Sequence, residues 1–172
     1  MPSPQLTAFL DLIAWSEGTS THPLTRNDGY DVIVTGADGA PEIFTDYADH
    51  PFAGGRKPKL IRMEPPPPIL SDAAGRYQQM LKYWPAYKAQ LELPDFGPAS
   101  QDKLAIQLIT ECRAIRLIEA GQVTAAIAAC SSRWASFPGN NYGQGGRKIE
   151  ELMARYPDLL IKRQEQVTGA SA

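Results

Sequence analysis

The sequence predicts an α+β fold: one N-terminal helix, a small antiparallel β region, then helices to the end. Three observations predict it. Leu6, Phe9, Leu10 and Ile13 recur at helical spacing. Residues 19–68 are rich in Gly, Pro, Asn and Asp and carry short β-type runs. From residue 75 onward, apolar residues return mostly at intervals of three and four. No internal repeat and no linker divides the chain. Two lobes of a single domain over residues 1–163 are therefore expected, a β lobe over about 19–70 and a helical lobe over 1–18 and 71–163. A cleft between them is the expected ligand site.

Each element has a local reason. The first helix covers residues 5–16 and Gly18 stops it. Residues 30–35, Tyr-Asp-Val-Ile-Val-Thr, form the best strand candidate; 36–41 is a turn and 42–47 the returning strand. Residues 56–64 are a candidate third strand. The prolines at 65–68 predict a stiff polyproline segment on the surface. Residues 75–82 read as a short helix, and Pro85 opens another that reaches Leu93. Ser100 is the expected N-cap of a helix bearing Leu104, Leu108, Cys112 and Ile115. Gly121 separates it from one bearing Val123, Ile127, Cys130 and Trp134. A Gly/Asn-rich loop over 136–146 leads to a last helix, 147–156, which Pro157 ends. Residues 164–172 are expected to be a disordered tail.

Composition narrows the function. With a formal net charge of -2 over 172 residues, the chain lacks the basic excess that nucleic acid requires. No apolar run reaches the roughly 20 residues of a membrane span. The N-terminus has no basic n-region, and Asp11 and Glu17 interrupt the apolar stretch, so no cleavable signal is expected. Cys112 and Cys130 are expected as buried thiols rather than a bridge. His22 and His50 belong to no metal-ligand motif, and no cofactor is expected.

The segment Ala14-Trp-Ser-Glu-Gly18 is the most informative. A carboxylate in the last turn of a helix faces the negative end of the dipole, which raises its pKa as a general acid requires. The same residues approximate a nucleophile elbow, with Ser16 as nucleophile and His22 or His50 as base. That elbow must follow a strand and open a helix, and here a helix precedes it.

Five ordered segments carry a resemblance. They are Ala8-Phe-Leu-Asp-Leu-Ile-Ala-Trp-Ser-Glu-Gly18, Thr25-Arg-Asn-Asp-Gly-Tyr-Asp-Val-Ile-Val34, Phe44-Thr-Asp-Tyr-Ala-Asp-His-Pro51, Ala74-Gly-Arg-Tyr-Gln78, and Ser131-Ser-Arg-Trp-Ala-Ser-Phe-Pro-Gly139 with Asn141-Tyr-Gly-Gln144. Together they resemble the bacteriophage lambda lysozyme family of endolysins. The resemblance implies a lysozyme-like, two-lobed α+β domain with lytic transglycosylase activity on bacterial peptidoglycan. It further implies release to the periplasm through a holin lesion, in agreement with the absence of an expected signal, which predicts accumulation in the host cytoplasm; a monomer is the default expectation. Glu17 matches the family's catalytic glutamate. Ser16, Tyr47, Gly75, Tyr77, Gln78, Asn141, Tyr142 and Gln144 are the implied substrate-binding residues, with Asp46 a weaker candidate. Trp15 and Trp134 read as core residues rather than sugar platforms.

Alternatives stay open at this level. A hydrolytic muramidase needs a second carboxylate, for which Asp28, Asp31, Asp46 and Asp49 are candidates. A glycan-binding module without chemistry is the non-enzymatic reading. Two stretches, 36–43 and 53–71, read as longer than the family pattern. The second holds Arg56, Lys57, Lys59 and Arg62, either a contact for anionic cell-wall groups or a solvated loop.

Overall fold

The computed structural model describes residues 2–139 and 146–169. It is α+β, as the sequence predicts, and it consists of two compact units. One comprises Met1–Glu17 and Ala105–Ala172; the other is Gly18–Leu104.

The first unit is helical. Helix α1, Pro4–Ser16, starts with Ser3 as N-cap, whose hydroxyl accepts the Leu6 N–H at 3.0 Å. Glu17 is its C-cap, and Gly18 follows at φ +76°, a left-handed conformation that glycine adopts without a Cβ penalty. The spacing suggests an amphipathic helix, but α1 is buried nearly all round, from Ala8 to Ala14. The one charge in that run, Asp11, is 7 % exposed and receives both arms of the Arg163 guanidinium at 2.6 Å each.

Arg163 belongs to α6, Ile149–Gly169, which corrects two expectations. The helix does not stop at Pro157, and it remains helical beyond Gln164. Pro157 lies on the exposed face, while Leu152, Tyr156 and Leu159 are buried. The ring removes one backbone donor. Packing of the inner stripe and the Asp11–Arg163 pair offset that loss. The unit also holds the second half of α3, Pro98–Glu111, then α4, Ile115–Glu119, and α5, Val123–Cys130. Gly121 at φ +70° breaks the chain before α5, as expected. Cys130 is buried and Cys112 half-buried, both as free thiols. Phe137 packs edge-on against Phe9 of α1, and Trp134 tilts against Phe137.

The second unit carries the strands. Strands β1, Val32–Ile33, and β2, Glu42–Ile43, pair antiparallel as the expected hairpin, though shorter than the sequence suggests. Strands β3, Lys59–Arg62, and β4, Ile69–Ser71, form a separate hairpin. Its connection holds the four prolines, exposed and bent rather than straight, because the chain must reverse there. Strands β5, Ala73–Ala74, and β6, Gln79–Met80, complete the sheet order β2-β1-β5-β6. The expected helix at 75–82 is thus a tight hairpin ending in a 3-10 turn, Leu81–Tyr83. The residues there tolerate a helix, but pairing of Ala74 with Ile33 overrides local preference.

Helix α2, Trp84–Gln90, has Pro85 in its first turn. Helix α3, Pro98–Glu111, begins two residues before the expected cap. Ser100 instead donates to Asp95, which also accepts the Gly97 N–H. An aromatic cluster of Phe44, Phe96, Trp84 and His50 fills the interior.

Candidate active site

Among the described residues, the Glu17 carboxyl is bonded within the helical unit, through Ser136 to Ser16. Ser136 Oγ donates to Glu17 Oε1 at 2.6 Å. Ser136 Oγ also lies 2.8 Å from Ser16 Oγ, which reaches the Ile13 carbonyl at 2.9 Å. Glu17 keeps partial exposure as a residue, yet burial of its carboxyl raises the pKa above the ordinary value. The Ser136 hydroxyl and backbone N–H both oppose that rise. The direction agrees with the expectation drawn from the helix end; the leading cause is burial. A carboxyl held this way can be protonated when a leaving group needs a proton.

Ser136 is the residue that sequence reasoning missed. It sits inside the Trp-Ala-Ser-Phe segment quoted above, but nothing local marks it. Its place is set from several sides. Phe137, 0 % exposed, anchors the next residue in the core. The Arg147 N–H donates to the Ser136 carbonyl at 2.8 Å. A Cβ on Gly146 would stand 2.9 Å from that same carbonyl, so the close approach requires glycine.

Ser16 is 8 % exposed with its hydroxyl engaged internally, so it serves Ser136 rather than a ligand directly. The nucleophile-elbow reading fails on the same facts, because Ser16 ends a helix and no strand precedes it. His50 is buried with Nε2 at 3.0 Å from the Gln79 carbonyl, and His22 Nδ1 accepts the Leu24 N–H. Trp134 is core, as expected; Trp15 is only half-buried, beneath the Arg147 guanidinium at 4.3 Å. Asn141, Tyr142 and Gln144 lie outside the described residues.

The Gly75-Arg-Tyr-Gln78 motif is the loop of the β5–β6 hairpin in the other unit. Gly75 has φ +78°, and a Cβ there would collide with the Gln101 carboxamide. Gln101 is 0 % exposed and holds three backbone groups: the Arg76 N–H at 2.8 Å, the Phe96 carbonyl at 2.8 Å and the Tyr30 carbonyl at 3.0 Å. Glycine is needed here to leave room for the Gln101 carboxamide. Tyr77 also departs from expectation. It is 2 % exposed and its hydroxyl donates to Asp102 at 2.6 Å, beside the Tyr30 hydroxyl at 2.7 Å. Burial pushes the Tyr77 phenol well above its usual range. It braces the loop instead of presenting a face. Gln78 retains solvent access, with Nε2 donating to the Gly75 carbonyl at 3.0 Å. Arg76 pairs with Asp28 at 2.7 Å and lies over the Tyr30 ring.

Tyr47 is half-buried, its hydroxyl accepting from Asn27 at 3.0 Å. The four aspartates considered as a second carboxylate each have local work. Asp28 holds Arg76; Asp31 accepts from Thr25 and from the Arg26 N–H. Asp46 accepts the Ala48 N–H, and Asp49 takes the Trp84 indole and Lys88. Of the basic run, Arg56 and Lys59 both pair with Glu42. The Arg56 hydrogen bond is the main reason the Glu42 pKa falls. Among the described residues, no group of His, Cys, Asp and Glu gathers as a metal site, and no helix is long and apolar enough to cross a membrane.

Comparison with known proteins places these features in context. The family described as Endolysin matches residues 7–160. The endolysin of Escherichia phage P2 is 56% identical over 148 residues, which is 86% of this chain and 88% of that protein. The endolysin of Escherichia phage lambda is 46% identical over 155 residues, 90% of each. A solved structure of bacteriophage lambda lysozyme complexed with a chitohexasaccharide matches with a TM-score of 0.79 at 44% identity. That match covers 92% of this chain and 96% of the other. A second structure, lysozyme from bacteriophage lambda, matches at a TM-score of 0.72 and 40% identity, over 96% and 95% of the two chains.

Proposed function

The chain belongs to the endolysin family, and from that membership we propose that it cleaves the glycan strands of bacterial peptidoglycan as a lytic transglycosylase with Glu17 as its single catalytic carboxyl group. The observation that carries this reading is the Glu17 carboxyl itself, raised in pKa by burial and bonded to Ser136. The related lysozyme that binds a chitohexasaccharide supports a β-1,4-linked amino-sugar polymer as substrate.

The chemistry proceeds in two balanced halves. Protonated Glu17 gives its proton to the glycosidic oxygen between N-acetylmuramic acid and N-acetylglucosamine as the C1–O bond breaks. Charge develops at C1 of the muramyl residue. Its own C6 hydroxyl oxygen then bonds to C1, and ionised Glu17 takes that hydroxyl's proton. The products are a free 4-hydroxyl and a 1,6-anhydro-muramyl end, and Glu17 is protonated again. No water is consumed. The local commitments of Asp28, Asp31, Asp46 and Asp49 favour this scheme over hydrolysis with a second carboxylate. Gln78, Tyr47 and the segment with Asn141, Tyr142 and Gln144 are the proposed sugar contacts. The protein acts as a monomer, stored in the host cytoplasm and admitted to the periplasm when a holin opens the membrane.

The test is lysis of permeabilised Gram-negative cells. The parent protein clears the suspension, while Glu17→Gln binds murein without clearing it. Equal lysis by the variant removes Glu17 from the chemistry. Mass spectrometry of the released muropeptides separates the reaction types, because anhydro products are one water lighter. Reducing muramyl ends alone would overturn the transglycosylase assignment.

A further inference from the structure

We propose that Ser136, backed by Ser16, is the positioning residue for Glu17: it holds Oε1 as a hydrogen-bond acceptor and leaves Oε2 as the oxygen that gives and regains the proton. This rests on the reading of Glu17 as the proton donor.

Two hydroxyl protons serve this cluster. Ser136 has one hydroxyl proton and two oxygens in reach, Glu17 Oε1 at 2.6 Å and Ser16 Oγ at 2.8 Å. Ser16 also has one, with Ser136 Oγ at 2.8 Å and the Ile13 carbonyl at 2.9 Å. When Glu17 is ionised, both protons can align toward it: Ser16 donates to Ser136, and Ser136 to Oε1. Aligned hydroxyls polarise one another, and a hydrogen bond to a charged acceptor is the stronger kind. When Glu17 is protonated, its proton sits on Oε2, Ser136 keeps a neutral bond to Oε1, and Ser16 turns back to Ile13. The pair therefore supports both forms and favours the ionised one. Burial pushes the other way. A group that must act first as acid and then as base needs these opposing effects nearly matched.

Rigidity acts together with this hydrogen bonding. A carboxyl on a helix C-cap rotates freely about its last bond unless something holds one oxygen. Ser136 is suited to do so because its neighbours are immobilised: Phe137 is in the core against Phe9, and Arg147 N–H and Gly146 clasp the Ser136 carbonyl. Among the described residues, several charged groups on α1 and the elements packed around it are engaged elsewhere. Asp11 pairs with Arg163, Glu119 accepts from Ser3, and Arg147 and Arg155 lie over the Trp15 ring. Burial raises the pKa of the Glu17 carboxyl, and the two Ser136 bonds lower it.

The experiment compares Ser136→Ala and Ser136→Thr with the parent, each at matched thermal stability. Turnover and apparent KM are read on soluble murein fragments across pH. Ser136→Ala is expected to lower kcat by about tenfold or more with KM changed less than about threefold, because orientation acts on the reacting step. Loss of a donor to the carboxylate raises the Glu17 pKa, so the basic limb of the profile moves up by about half a pH unit or more. Ser136→Thr keeps the hydroxyl and restores the limb. A carbon-13 titration of the Glu17 carboxyl in Ser136→Ala gives the same answer without activity. An unchanged limb, an unchanged titration, or a Thr variant as impaired as Ala would each sink the proposal. Glu17→Gln is run beside them: if it retains full activity, the reading of Glu17 fails, and the titration still decides whether Ser136 tunes the carboxyl.

Discussion

Gly75→Ala offers a worked test of the motif loop. A Cβ at φ +78° costs an ordinary residue about 1–2 kcal/mol. The added methyl also strikes the Gln101 carboxamide. A flexible glutamine on a surface would swing away at little cost. Gln101 cannot, because it is fully buried and its carboxamide holds Arg76, Tyr30 and Phe96. Losing two or three such bonds costs about 2–3 kcal/mol. Reduced freedom of the unfolded chain returns about half a kcal/mol. The net is about 3–4 kcal/mol, which with an m-value of about 2 kcal/mol/M lowers the urea midpoint by about 1.5–2 M. Urea unfolding measures the shift, and amide exchange in β5 and β6 locates it. The double variant Gly75→Ala/Gln101→Ala isolates the collision: it should be far less destabilised than the two single losses added together. A Gly75→Ala protein within about 1 kcal/mol of the parent would refute the reasoning.

The remaining predictions concern the helical unit. Because the folded state raises the Glu17 pKa, the folded protein binds that proton more tightly than the unfolded chain. The associated stability is full below the ordinary carboxylate range and is lost as pH rises toward the folded value. Glu17→Gln should therefore melt at a higher temperature than the parent at neutral pH, with the gap closing near about pH 4; an equal gap at both pH values contradicts this. Arg163→Ala strands the buried Asp11 carboxylate. A fully buried pair broken in this way costs about 3–5 kcal/mol, and the quarter exposure of Arg163 brings this to about 2. A fall in melting temperature of about 4–8 °C is expected in a thermal scan, together with faster amide exchange beyond Leu159.

Helix α1 and its end were legible because both are written in neighbouring residues: an apolar spacing, a Glu, then a Gly. The β1–β2 hairpin was legible for the same reason. The rest depends on partners far along the chain. Ser136 is 119 positions from Glu17, and Arg163 is 152 from Asp11, so neither the positioning hydroxyl nor the extension of α6 past Pro157 could be read locally. The β5–β6 hairpin was mistaken for a helix because Arg, Tyr, Gln, Met, Leu and Lys fit a helix well enough. The resemblance implies Tyr77 as a substrate-binding residue, and nothing in the sequence marks Asp102 as the acceptor of its hydroxyl. The resemblance to a known family points to Glu17 and the motif loop, while geometry separates the side chain that retains solvent access, Gln78, from the two that build the loop.

The helical unit is discontinuous in the chain, made from Met1–Glu17 and Ala105–Ala172. A ribosome that has reached Leu104 has supplied the whole of the strand-bearing unit but only one 13-residue helix of the other. A lone helix of that length is marginal in water. At that stage the proposed acid has no desolvated surround and no Ser136 beside it. Its carboxyl is then an ordinary, ionised one. The burial that raises this carboxyl's pKa therefore arises late, when the closing segments fold back over the opening helix.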